Sequence, residues 1–132
     1  MNFFVNSNTF NGPPNPASPS AIIGNKLSIS FLDDGTSGYL DLNKESPAIK
    51  KFASSDGTLI FGATFSPNGK WIAYSSAKSG SLNCYIAPLS NLENAIIISN
   101  KFEGEEPMWS PNGDEVFYRS SSGLYSVKLD FD

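Results

Sequence analysis

The sequence predicts an all-β protein built from repeated, four-stranded antiparallel units. Three observations predict it. First, Phe65-Ser66-Pro67-Asn68-Gly69-Lys70-Trp71-Ile72-Ala73-Tyr74 and Trp109-Ser110-Pro111-Asn112-Gly113-Asp114-Glu115-Val116-Phe117-Tyr118 repeat one pattern 44 residues apart. Second, the turn between the apolar runs has a mechanism. Proline presets φ, asparagine tolerates bridge and left-handed backbone, and glycine takes positive φ without a Cβ clash. Each copy therefore reads as a hairpin. Third, both faces of the strand after the turn are apolar: Trp71 and Ala73 on one side, Ile72 and Tyr74 on the other. A sheet with one wet face would alternate apolar with polar residues. Sheets apolar on both faces and repeating about every 44 residues are expected where each is sandwiched between neighbours, as blades of a β-propeller are.

The elements follow in order. Residues 1–20 read as irregular, with Phe3-Phe4-Val5 able to add a short strand and Asn11-Gly12-Pro13-Pro14-Asn15-Pro16 as a loop, because its breakers remove donors and fix φ. Residues 17–22 can form a poor inner strand. The repeat region is 21–132, with units near 21–53, 58–100 and 105–132. In the first unit Gly24 stands where Gly69 does, Leu27, Ile29 and Phe31 alternate, Asp33 to Gly38 turn, and Tyr39 to Leu42 form the next strand. Ala48 to Phe52 is an outer strand whose lysines suit an exposed edge. The second unit runs Leu59–Phe65, Lys70–Ser76, Leu82–Ala87 and Ala95–Ser99, with Asn91 to Asn94 as a helical turn or a loop. The third runs from Glu106 through Ser120 and on to Leu129, and its fourth strand is missing. The chain therefore reads as about three blades of an incomplete ring, whereas closure takes about 4–8.

Composition excludes several functions. The net charge is −4, Arg119 is the only arginine, and the lysines are scattered, so no basic stripe exists for nucleic acid. There is no histidine and one cysteine, Cys84. A Ser-His-Asp or Cys-His apparatus cannot be assembled, nor an intrachain disulfide, and the usual His/Cys zinc site is nearly excluded. Cys84, within Cys84-Tyr85-Ile86, reads as a small core residue. No stretch approaches the about 20 apolar residues of a membrane span. The first six residues lack the basic region and apolar length of a signal peptide. No enzymatic activity, cofactor, metal, nucleic-acid partner or membrane insertion is expected.

Candidate binding residues are few. Glu103, Glu105 and Glu106 precede an inner strand, where a channel mouth could draw a cation or basic peptide; a solvated connecting loop is the competing reading. Asp33-Asp34-Gly35 lacks the further oxygen ligands of a calcium loop. Trp71, Trp109, Tyr74 and Tyr118 could line a sugar or peptide site, but their repeat positions favour packing between blades. Ser66 and Ser110 have no base to activate them, and turn formation accounts for both.

The stretch Phe65–Tyr74 resembles the WD-like repeat of TolB-type propellers, an aromatic-Ser-Pro-Asp-Gly-Lys motif followed by an apolar strand. Glu106 through Ser120 resembles the last blades of the propeller that follows some bacterial serine/threonine kinase domains. The resemblance covers about residues 16–132. Asn68 and Asn112 stand where the family carries aspartate, and the family's rings have more blades, so the chain is expected to be a fragment or a half that must pair. The resemblance implies a non-catalytic module that binds protein or peptide, as a scaffold or sensor, in the bacterial periplasm or envelope if TolB-like. The alternative it implies is an accessory propeller of a larger enzyme, such as a prolyl-oligopeptidase-type serine peptidase. A third reading is a three-blade protein that dimerises into one ring. Exposed apolar faces on the terminal blades would favour self-association.

Overall fold

Three antiparallel meanders follow one another along the chain. The computed structural model describes residues 17–52, 54, 56–99 and 103–131; the expected strand at Phe3-Phe4-Val5 and the loop at 11–16 lie outside them. The first sheet has the order β1 (Ala17–Ile23), β2 (Lys26–Phe31), β3 (Ser37–Asp41), β4 (Lys50–Lys51). The second has β5 (Phe61–Phe65), β6 (Trp71–Ser76), β7 (Asn83–Pro88), β8 (Ile96–Ile97), with a 3-10 turn at Leu92–Asn94. The third has β9 (Glu105–Trp109), β10 (Glu115–Ser120) and β11 (Gly123–Lys128), with no fourth strand among the described residues.

Strand β1 begins at Ala17, ahead of the boundary expected at residue 21. Proline is tolerated there because Pro19 sits beside a one-residue bulge on a strand that pairs only with β2. The outer strands are shorter than the sequence suggests, two residues each.

The repeated turn explains its own residues. Ser66 Oγ accepts from Trp71 N at 3.0 Å and donates to Asn68 Oδ1 at 2.7 Å, and Lys70 N donates to the same Asn68 oxygen. In the later copy Ser110 Oγ accepts from Glu115 N at 3.1 Å but donates to Asp114 at 2.9 Å rather than to Asn112. The acceptor for the turn serine is the residue before the glycine in one copy and the residue after it in the other. Gly69 and Gly113 close the two turns at φ 71° and 75°, left-handed backbone that a side chain resists.

Both faces of the middle sheet are buried. Ile72 and Tyr74 pack toward the first sheet with Phe52, Phe65 and Tyr85. Ala73, Cys84 and Ile86 pack toward the third with Trp109, Val116 and Tyr118. The terminal faces differ from each other. On the far side of the first sheet, opposite the face from which Tyr39 stacks on Phe52, lie Ile29, Phe31 and Leu40, all buried. On the far side of the third sheet Met108, Phe117 and Leu124 are 68%, 37% and 76% exposed. Exposed apolar faces on both terminal blades were expected; among the described residues the far face of the third sheet is the more exposed, while that of the first combines this buried set with exposed Ile22 and Leu42.

The turn after β2 commits Asp34, one of the acidic pair weighed above as a calcium loop. Asp34 Oδ1 accepts from Thr36 N at 2.9 Å and Thr36 Oγ1 at 2.6 Å, and Oδ2 meets Lys51 Nζ at 2.8 Å. The Lys51 hydrogen bond, then those from Thr36, pull its carboxyl down to about 2. A depressed carboxyl stabilises the fold above its unfolded value, and that contribution is lost as pH falls through the folded value. Wild type is therefore expected to melt above Asp34→Asn at pH 5, and the two melting temperatures to converge as pH falls from about 4 to about 2. Thermal melts at both ends check this; a gap that stays constant would contradict it.

Candidate binding site beside the first strands

The first strands of the three sheets converge, with β5 in contact with both β1 and β9. Each carries a one-residue bulge: between Pro19 and Ala21, between Phe61 and Thr64, and in β9 opposite the span Phe117–Arg119. Bulges bend a strand and re-aim its side chains. The bend opens two shallow cavities. One, about 340 Å³, is bordered by Phe61, Gly62, Ser75, Leu82, Glu105 and Glu106. The other, about 320 Å³, is bordered by Ser20, Ala21, Thr64, Glu106, Pro107 and Met108. Glu106 borders both.

The backbone at Glu106 is unusual. Its φ is 53°, and Gly62, one repeat earlier at the same bulge, has φ 56°. A position built for glycine thus carries a glutamate, at a cost of about 1–2 kcal/mol. Strain of this kind persists only where surroundings hold it. Here the residue sits in the bulge of β9, and Arg119 orients its side chain. Arg119 Nε donates to Glu106 Oε2 at 2.7 Å and its Nη2 to Glu105 Oε2 at 2.5 Å. Glu106 first, then the charge of Glu105, raises the guanidinium's already high pKa. The cluster is exposed, with half of the Arg119 side chain in solvent, so the ion pairs themselves add little stability. Two carboxylates against one guanidinium leave the mouth net acidic.

Of the three glutamates singled out from the sequence, the structure brings Glu105 and Glu106 together, while Glu103 is exposed and borders neither cavity. Sequence reasoning missed Arg119. The signal was the hairpin itself, since the β9–β10 register sets Arg119 opposite Glu105. The aromatic candidates are packing residues in three cases. Tyr74 stacks on Tyr85, Tyr118 stacks on Tyr125, and Trp109 Nε1 donates to the Thr64 carbonyl in the neighbouring sheet at 3.1 Å. Trp71 differs: it is half-buried, lies 4.8 Å from the Phe131 ring, and borders an open groove with Pro88 and Leu89. Cys84 is fully buried, and that burial pushes its thiol up to about 11, the state of an inert core residue. Among the described residues no group of three or more His, Cys, Asp or Glu side chains gathers into a metal-binding set. No helix among them is long and apolar enough to cross a membrane.

No protein-family model matches the chain, and no curated protein does. A solved structure does: a provisionally assigned TolB from Agrobacterium tumefaciens superposes with a TM-score of 0.61 at 19% identity. The chain has the fold of part of a β-propeller, like that neighbour's. The match covers 80% of this chain and 39% of the other, so this chain spans well under half the length of that neighbour. At that identity the likeness is one of fold. The three stacked sheets are blades of the β-propeller kind, fewer than a closed ring contains.

Proposed function

We propose that the chain is a non-catalytic β-propeller module that binds a protein or peptide, in a TolB-like scaffold or sensor role, through the acidic mouth beside its first strands. The carrying observation is Glu106, in left-handed backbone at the junction of two cavities, its carboxylate paired with an arginine that also binds Glu105. Paired carboxylates on a rigid hairpin suit a lysine or arginine side chain of a partner, which can compete with Arg119 or add to it. Exposed charge pairs of this kind tune specificity and association rate more than raw affinity. The absence of histidine and the engagement of both Ser66 and Ser110 in their turns support a role without catalysis.

A short lysine/arginine-rich peptide serves as the probe. Titrated into isotope-labelled protein, it is expected to shift the backbone amides of Glu105, Glu106 and Arg119, with affinity falling as salt rises. The double variant Glu105→Gln, Glu106→Gln is expected to weaken binding about tenfold, the equivalent of ~1.4 kcal/mol. Absence of shifts at the mouth, or equal affinity for the double variant, would overturn the mouth reading.

A further inference from the structure

The two Ser-Pro-Asn-Gly turns are built alike except for what the serine hydroxyl finds. In both, the serine carbonyl accepts from the glycine N–H, at 2.8 Å from Gly69 and 3.0 Å from Gly113. In both, the glycine sits in left-handed backbone. The asparagines differ. Asn68 Oδ1 accepts from Ser66 Oγ at 2.7 Å and from Lys70 N at 2.9 Å. Ser110 Oγ instead donates to Asp114, and the Asn112 carboxamide makes no hydrogen bond among the described residues. Both asparagines are exposed. Asn68 belongs to the sheet that has neighbours on both sides, so an adjoining blade does not cover this position of the repeat.

That difference bears on a reaction. Asparagine followed by glycine is labile, because glycine has no Cβ to hinder attack by its own nitrogen. The glycine amide nitrogen gives its proton to solvent base and attacks the asparagine Cγ. The N–Cγ bond forms, the Cγ–Nδ2 bond breaks, and Nδ2 leaves as ammonia with a proton returned by solvent. The resulting succinimide takes up one water. Opening at Cγ gives aspartate; opening at the main-chain carbonyl gives isoaspartate. Neither oxidant nor reductant is needed. For the attack, the carboxamide must rotate until Cγ faces that nitrogen. Asn68 must first release both of its hydrogen bonds, whereas Asn112 has none to release.

We propose that Asn112 is a self-modification site, at which the turn between β9 and β10 converts to aspartate and isoaspartate while Asn68 is protected by its own turn. Both products add a negative charge to a chain that already carries −4. Isoaspartate also inserts a carbon into the backbone of a turn that leans on the neighbouring blade: a Cβ built on Gly113 would lie 3.3 Å from Pro67 Cδ. Conversion thus loosens the seat of the third sheet on the second. The mouth residues Glu105, Glu106 and Arg119 lie at the other end of the same hairpin and take no part.

Peptide mapping of the full chain tests this. Trypsin cuts after lysine and arginine, and so places Asn68 and Asn112 on separate peptides, 52–70 and 102–119, with Asn11-Gly12 on a third. Folded protein held in mildly alkaline buffer is expected to gain a single mass unit on 102–119 about tenfold faster than on 52–70, a ratio that two hydrogen bonds suffice to produce. In urea, where both turns are open, the ratio is expected to shrink to about threefold or less. Asp114→Ala is expected to slow the conversion, because it leaves Ser110 Oγ with Asn112 as its acceptor, the arrangement that Ser66 and Asn68 already have. A merely loosened turn would convert faster instead. Equal rates on the two peptides in folded protein, a tenfold ratio that persists in urea, or conversion in Asp114→Ala that is no slower would each overturn the proposal. The isoaspartate form, separated by chromatography, is expected to melt below the unconverted protein; equal melting temperatures would overturn the coupling to the second sheet.

Discussion

Gly104→Ala is expected to destabilise the protein by about 2–3 kcal/mol, in the upper part of the range for overpacking a well-filled site. Gly104 lies in the middle of the acidic stretch that reads as a solvated loop, yet it is buried. A Cβ built on it would stand 2.6 Å from Ser99 Cβ, 3.1 Å from Tyr118 Cδ2 and 3.2 Å from Cys84 Sγ. None of these neighbours gives way cheaply. Ser99 Oγ accepts from Cys84 N at 3.0 Å and donates to Asn83 Oδ1 at 2.7 Å, so moving its Cβ breaks two buried hydrogen bonds. Tyr118 is stacked on Tyr125, and Cys84 has no free surface. The backbone at Gly104 is not in the left-handed region, so the cost is steric rather than conformational. Urea melts of wild type and Gly104→Ala measure it. Ser99→Gly removes the nearest obstacle, so the double variant is expected to lose less than the sum of the single losses. A Gly104→Ala loss under about 0.5 kcal/mol, the range of ordinary surface changes, would sink the argument.

The same glycine shows where the sequence was legible and where it was not. The strands flanking the Ser66–Gly69 and Ser110–Gly113 turns were readable because two copies shared turn chemistry and apolar flanks. Their faces were readable too: Ile72 and Tyr74 turn to one neighbour and Ala73 to the other. Strand β1 was only half legible, because Pro19 argues against a strand until the bulge and single-sided pairing are known. The outer strands were over-read, since a run such as Ala95–Ser99 looks continuous although only Ile96 and Ile97 pair. At the candidate site the glutamates were visible and their organisation was not. The bulge in β9 has no composition signature, because the glycine that marks it in β5 is replaced by Glu106. Without the bulge, nothing on the sequence says that Arg119 reaches Glu105 and Glu106 together. The burial of Gly104 was hidden for a similar reason. It depends on Ser99, Cys84 and Tyr118, which come from three different strands or loops.

Trp109→Ala is expected to cost about 3–5 kcal/mol, and to cost several times more than Trp71→Ala. The two tryptophans look alike in the sequence, each beside its unit's turn, but they hold different places. Trp109 is 9% exposed within the cluster shared by the second and third sheets, among Ala73, Ile86 and Val116. Its Nε1 donates to the Thr64 carbonyl of β5, the direct polar link from this indole to the adjacent blade. Truncation removes a large buried area, opens a cavity where two sheets meet and withdraws a partner from a backbone carbonyl. Trp71 is half-buried and packs at a tilt against Phe131, itself 46% exposed, so its loss exposes little that was dry. Trp109→Phe separates the contributions: it keeps most of the aromatic contact and drops the hydrogen bond, for an expected loss of about 1 kcal/mol. Domains of this kind have net stabilities of only about 5–15 kcal/mol. The alanine variant should therefore shift the urea midpoint strongly, read by circular dichroism because the change removes a fluorophore. Blades that stack as these do stay together through nearest-neighbour contacts. If Trp71→Ala proved the costlier of the two, the third sheet would not be held to the second through this indole, and the stacking described here would fail with it.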